Sequence, residues 1–132
     1  MSSRRAPVTA AATAAALAVD AVLVVAFAAA GRASHHGDIL LGLWTTAWPF
    51  LAALAVGWVA TLAWRRPLTP GRTGIPLWIV TVAGGMILRA LSGHGTAVPF
   101  VLVAAGTLAL LLIGWRLVAL LARRVRTRRL EA

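Results

Sequence analysis

The chain has no cysteine, no lysine and very little acid: three acidic residues in 132, with glutamate only at Glu131. Without cysteine there is no disulfide, no thiol nucleophile and no zinc–thiolate centre. Without lysine, all 13 basic side chains are arginine, which together with the abundant alanine points to a GC-rich bacterial coding bias. No Ser-His-acid arrangement is visible, and no strand precedes a glycine-rich phosphate loop. No enzymatic activity and no cofactor are therefore expected.

What is present is apolar. Hydrophobic residues make up 61% and charged ones 12%, against roughly 45–50% apolar in ordinary globular chains. The charges lie almost entirely between or beyond the apolar runs. Four runs are long enough to cross a bilayer, at about 8–30, 39–64, 75–91 and 97–122, between an N-terminal segment 1–7 and a basic tail 123–132. The third is the shortest. Spans in lipid must satisfy their own backbone, and four short ones cannot close a barrel, so each is a helix. The fold class is all-α, a four-helix transmembrane bundle. Its connections, 31–38, 65–74 and 92–96, are short enough to make sequential helices antiparallel neighbours. Pro67, Pro70, Gly71 and Gly74 mark the middle connection as ordered turns. A cleaved signal is the rival for the first span. That run is too long for a signal core, and Asp20 interrupts it.

Arginine asymmetry sets the orientation. Arg4, Arg5, Arg65, Arg66, Arg72, Arg123, Arg124, Arg126, Arg128 and Arg129 share one side, and only Arg32 and Arg89 belong to the other. Both termini are expected in the cytoplasm of a bacterial cell. A net charge of +10 suggests nucleic acid at first, but no soluble domain displays it. Topology and anionic lipid headgroups account for it better, so no nucleic-acid partner is expected. Trp44, Trp48, Trp64, Trp78 and Trp115 fall near span ends, at headgroup level.

The two halves look alike. Arg32, His36-Gly37, Thr46-Ala47-Trp48-Pro49-Phe50 and Trp64-Arg65 are echoed by Arg89, His94-Gly95, Thr96-Ala97-Val98-Pro99-Phe100 and Trp115-Arg116. Two parallel helical hairpins are one reading and chance in an Ala/Gly/Arg-rich chain is the other. In a repeat, Pro49 and Pro99 would each open the second helix of a hairpin, where a missing N–H costs nothing.

Asp20 falls near the middle of the first span. A charge at that depth costs about 2.5–3.5 kcal/mol on insertion scales, so it must face the bundle and have a partner. From the rise per residue, Arg89 should stand about 6 Å and Arg116 about 10 Å away along the membrane normal. Helical side chains lean toward their own N-termini, which aims both arginines at Asp20, and Arg89, the nearer, is the preferred partner. A structural ion pair is favoured over a proton or substrate relay. Arg32, His35, His36 and His94, with Asp38, gather at the outer face. They are candidates for a pH sensor or a metal site, although the spacing matches no tight ligand motif. Gly57, Gly84, Gly85, Gly106 and Gly114 are expected at close helix contacts.

Asp20, Gly31-Arg32-x-Ser34-His35, Ala47-Trp48-Pro49-Phe50, Trp78-x-x-Thr81, Gly85-Met86-x-x-Arg89, Phe100-Val101-x-Val103 and Gly114-Trp115-Arg116 resemble a set of small bacterial, largely actinobacterial, membrane proteins, the domain of unknown function 3054 family. The resemblance runs from about Ala18 to Arg116. It implies a four-helix integral membrane protein and carries no activity. The preferred functional reading is a binding, accessory or scaffold membrane protein that meets the bilayer, a partner membrane protein or a second copy. A small transporter or channel working through Asp20 and Arg89 or Arg116 is the alternative, and the outer-face histidine site is the third.

Overall fold

A computed structural model describes residues 6–132 apart from 33–37, with Arg32 described through its backbone alone. Four helices follow one another: α1 (Ala10–Arg32), α2 (Ile39–Ala60), α3 (Ile75–Leu91) and α4 (Val98–Glu131). No strand occurs among the described residues. α1 is largely alanine, the strongest helix former. α2 is started by Asp38, whose Oδ1 accepts from the N–H groups of Leu40 and Leu41 at 3.1 and 3.2 Å. α3 closes on Gly93, with φ 77°, where the His94 N–H returns to the Arg89 carbonyl at 2.9 Å. α4 opens with Pro99 in its first turn.

All four helices are long and apolar enough to span a membrane, the third when its run is counted from Pro70 to Leu91, and their outward faces are apolar, with Leu40, Leu110 and Val22 largely exposed. In water that would be an aggregation surface. In a bilayer it is the lipid-facing surface of a membrane protein. The helices form a ring in which α1 packs on α2 and α4, while α3 packs on α2 and α4 from the far side. α1 and α3 thus stand on the diagonal.

The tightest seam joins α2 and α3. A Cβ at Gly57 would come within 2.8 Å of Leu77, one at Gly84 within 2.9 Å of Ala53, and one at Gly85 would enter the Phe50 ring. These glycines let the backbones approach, as small residues do where lipid supplies no hydrophobic drive. Gly106 and Gly114 do not share this role, since a Cβ at either would meet nothing within 4 Å; their side of α4 is turned away from the other helices.

Three sequence expectations need correction. α2 ends at Ala60 rather than near residue 64. Leu62 then takes a left-handed φ of 51°, a short 3-10 turn follows (Ala63–Arg65), and a π turn (Pro70–Gly74) leads into α3. Ala63, Pro67, Thr73 and Gly74 are buried, so this connection folds into the end of the bundle instead of crossing its surface. Pro49 lies in the interior of α2, as the span 39–64 had it, and not at a helix start as the repeat reading required, because Asp38 has already capped the helix eleven residues earlier. The two prolines therefore play different parts in the two hairpins. Finally, the basic tail is not separate from the last span. α4 runs unbroken for 34 residues, about 50 Å at 1.5 Å per residue, so it outreaches a hydrocarbon core of roughly 30 Å.

Candidate functional site: a buried aspartate between two tryptophans and an arginine

Asp20 points from the middle of α1 into the bundle and is fully buried. Both of its oxygens are used twice. Oδ1 accepts from Trp115 Nε1 at 2.8 Å and from Arg116 Nη1 at 2.9 Å. Oδ2 accepts from Trp58 Nε1 at 2.9 Å and from Arg116 Nη2 at 2.7 Å. A carboxylate offers about four lone-pair sites, and here all four are filled.

Arg116 is equally buried. Besides its two-pronged hold on Asp20, it donates from Nε to the Pro67 carbonyl at 2.8 Å and from Nη1 to the Leu112 carbonyl at 2.8 Å. Its stem lies against Gly74, where a Cβ would come to 3.4 Å from Arg116 Cδ. One arginine thus joins α1, its own helix and the inserted α2–α3 connection. The connection is held a second time by the Thr73 hydroxyl, which donates to the Arg66 carbonyl at 2.6 Å. Non-helical backbone packed into a membrane bundle is tolerable where its carbonyls have protein donors, as those of Arg66 and Pro67 do.

The sequence pointed to Arg89 as the preferred partner of Asp20, and the structure corrects this. Arg89 stands at the other end of the bundle, where Nε and Nη2 donate to the Gly95 carbonyl at 3.2 and 3.0 Å and the guanidinium lies 4.3 Å from the Phe100 ring centroid. Depth along the normal was not the deciding coordinate. α3 is diagonal to α1, whereas α4 is its neighbour, and the long arginine side chain covers the axial offset.

The tryptophans are corrected too. Trp44 and Trp64 are exposed on the outside of the bundle. Trp115 instead faces Asp20, and Trp78 donates to the Ala105 carbonyl across the α3–α4 seam at 2.8 Å. Trp58 was missed altogether. The available signal was its position well inside a span, where an indole N–H needs an acceptor that lipid does not provide. The Pro67 carbonyl left no trace in the sequence.

The outer-face cluster is only partly described. His35, His36 and the Arg32 side chain lie outside the described residues. Asp38 is engaged in capping α2, and His94 is half-buried with Nδ1 unpartnered. Among the described residues no three His, Cys, Asp or Glu side chains are grouped to hold a metal. Of the basic residues, Arg4 and Arg5 lie outside the described residues, Arg65 and Arg66 sit in the α2–α3 connection, and Arg72 is in the π turn. Arg123, Arg124, Arg126, Arg128 and Arg129 are exposed on the last turns of α4. One further polar atom stands apart: Thr81 Oγ1, fully buried on α3, has no hydrogen-bond partner.

No curated protein and no solved structure matches the chain significantly. One family does, described as "Protein of unknown function (DUF3054)", and the match covers residues 17–119. That stretch contains every member of the buried polar centre, from Asp20 to Arg116. With a match over most of its length, this chain of four membrane-length helices belongs to the family described as protein of unknown function (DUF3054).

Proposed function

We propose that this chain is a non-enzymatic accessory protein of the cell membrane, and that Asp20 and Arg116 form a structural clamp rather than a relay. The observation that carries this reading is the saturation of Asp20. A carboxylate that passes protons, or that exchanges a substrate for its counter-charge, needs an open lone pair or access to water. Asp20 accepts four hydrogen bonds from three side chains and is sealed from solvent. The pair binds helices together and leaves the outer faces of the bundle for a partner membrane protein, a second copy or lipid. The arginine asymmetry supports placing both termini in the cytoplasm.

Proteoliposome flux tests the clamp. Wild-type protein should pass protons and small anions no faster than protein-free vesicles, and Asp20→Asn should lower thermal stability without changing that flux. Flux in the wild type that disappears in a folded Asp20→Asn variant would establish the transporter reading instead. Because the chain lacks cysteine, single cysteines placed at Ala6 and Ala132 report orientation directly. Both should react with an impermeant maleimide only from the cytoplasmic side.

A further inference from the structure

The end of the bundle that carries both termini holds an open cavity of about 720 Å³, lined by the segment before α1, by the α2–α3 connection and by α4. Arg65 and Arg66 enter it from the connection and Arg123 from α4. Arg123 lies seven residues beyond Arg116 and so on nearly the same face of the helix. Arg116 secures the floor of the cavity through the Pro67 carbonyl, while Arg123 stands in its wall. Pro7, Val8 and Leu68 supply apolar walls. The start of α1 opens here as well, and a helix start leaves N–H groups without intrahelical acceptors; the Thr9 hydroxyl takes one of them, from Ala12, at 3.1 Å.

The charges here have no internal counter-charge. The chain has three acidic residues, and each lies elsewhere. Asp20 is saturated in the buried clamp, Asp38 caps α2 at the opposite end, and Glu131 lies eight residues beyond Arg123, about 12 Å farther along α4. No carboxylate appears among the described residues that line the cavity. The arginines are also mounted on a fixed base. The Arg66 carbonyl is held by Thr73, the Pro67 carbonyl by Arg116, and the Arg65 and Arg66 N–H groups by the Leu62 and Ala63 carbonyls at 3.0 and 3.1 Å. A fixed backbone limits how far the Arg65 and Arg66 side chains can stray, which lowers the ordering cost of binding, and guanidinium groups match phosphate oxygens in pairs. Arg123 projects from α4 like Arg124, Arg126, Arg128 and Arg129, but unlike Arg129 and Arg126 it faces the connection that carries Arg65 and Arg66 across this cavity.

We propose that this cavity binds the phosphate headgroup of an anionic lipid. Arg65, Arg66 and Arg123 hold the phosphate oxygens, and the Pro7, Val8 and Leu68 wall receives the glycerol and the first carbons of an acyl chain. The apolar wall and the position of the cavity where the helices leave their apolar runs favour a lipid over a free phosphate compound. The site is independent of whether Asp20 relays protons.

The test uses the full chain in zwitterionic micelles, titrated with short-chain phosphatidic acid, short-chain phosphatidylglycerol or inorganic phosphate. Lipid retention is read by native mass spectrometry and affinity by the shift in thermal unfolding. One anionic lipid should bind per chain, saturably, and inorganic phosphate should bind at least about tenfold more weakly. Arg66→Ala with Arg123→Ala should weaken lipid binding about tenfold or more, as expected for the loss of charge-assisted contacts. Arg128→Ala with Arg129→Ala removes the same charge from the exposed helix and should change it less than about threefold. Arg66→Lys with Arg123→Lys, which keeps the charge and the fold, should retain part of the affinity. Equal losses in the two alanine pairs would reduce the site to general electrostatics, and inorganic phosphate binding as tightly as lipid would assign the cavity to a soluble ligand. Either result overturns the proposal.

Discussion

Two layers of the bundle solve the same problem in opposite ways. Toward the end that carries the termini, Asp20, Trp58, Trp115 and Arg116 join α1, α2 and α4 by directed hydrogen bonds. Toward the other end, the chain's three phenylalanines join the same helices by ring packing. Phe27 meets Phe50 edge-on at 5.3 Å between centroids, Phe100 lies 6.4 Å from each, and Arg89 covers Phe100. Val24, Leu54 and Leu108, all buried, lie between the two layers in sequence on their respective helices. The comparison shows two sources of specificity available where lipid removes the hydrophobic drive between helices. The polar layer fixes rotation and register through the number and direction of its donors. The aromatic layer fixes spacing, and it depends on a missing side chain, because Gly85 of α3 gives the Phe50 ring its room.

The comparison can be broken most severely at Arg116. Arg116→Met leaves the Asp20 carboxylate buried with two indole donors and releases the Pro67 carbonyl. A loss of about 3–5 kcal/mol is expected, as for other buried pairs cut on one side, measured by reversible unfolding in mixed micelles. Adding Asp20→Leu should restore a good part of that loss. If the double variant is no more stable than the single, the damage comes from the released connection rather than from the stranded charge.

The aromatic layer should give way by less. Gly85→Ala places a methyl group in the Phe50 ring, an overpacking that typically costs about 1–3 kcal/mol. Gly106→Ala, in open space on α4, should stay within about 0.5 kcal/mol of wild type. Equal effects at the two glycines would mean that the α2–α3 seam yields to the added methyl. The smallest change expected is Trp58→Phe, which keeps the ring and deletes one donor to Asp20. Hydrogen bonds in membrane bundles average about 0.6 kcal/mol with a maximum near 1.7, and a loss in that range, read in the same assay, is expected. A larger loss would show that the fourth bond to the carboxylate matters more than its share.

Much of this was legible in the residues. The four spans follow from the length of their apolar runs, and the inward aim of Asp20 follows from the cost of a charge in lipid. Arg116 was a candidate partner because its axial offset was within reach of a guanidinium. Its selection over Arg89 was not legible, since axial distance says nothing about which helix stands beside which. The true end of α2 was hidden for a related reason. Residues 61–64 are apolar enough to read as span, yet the left-handed turn at Leu62 and the burial of Ala63 and Pro67 turn the chain inward. Trp58 carried a weak signal that depth alone could have raised, and the Pro67 carbonyl carried none, because a backbone acceptor looks the same at every position.

The sequence by itself determined that this is a four-helix membrane chain, because hydropathy and length are local properties that lipid enforces span by span. It also determined that Asp20, a charge inside an apolar span, would have to be matched. Only the tertiary structure decided the matches: Arg116 with Asp20, the aromatic layer with Gly85, and three arginines around one cavity with no acid among the described residues that line it. Those outcomes depend on the lateral order of the helices around the ring and on the inward fold of one connection, and neither is written in the spacing of residues along the chain.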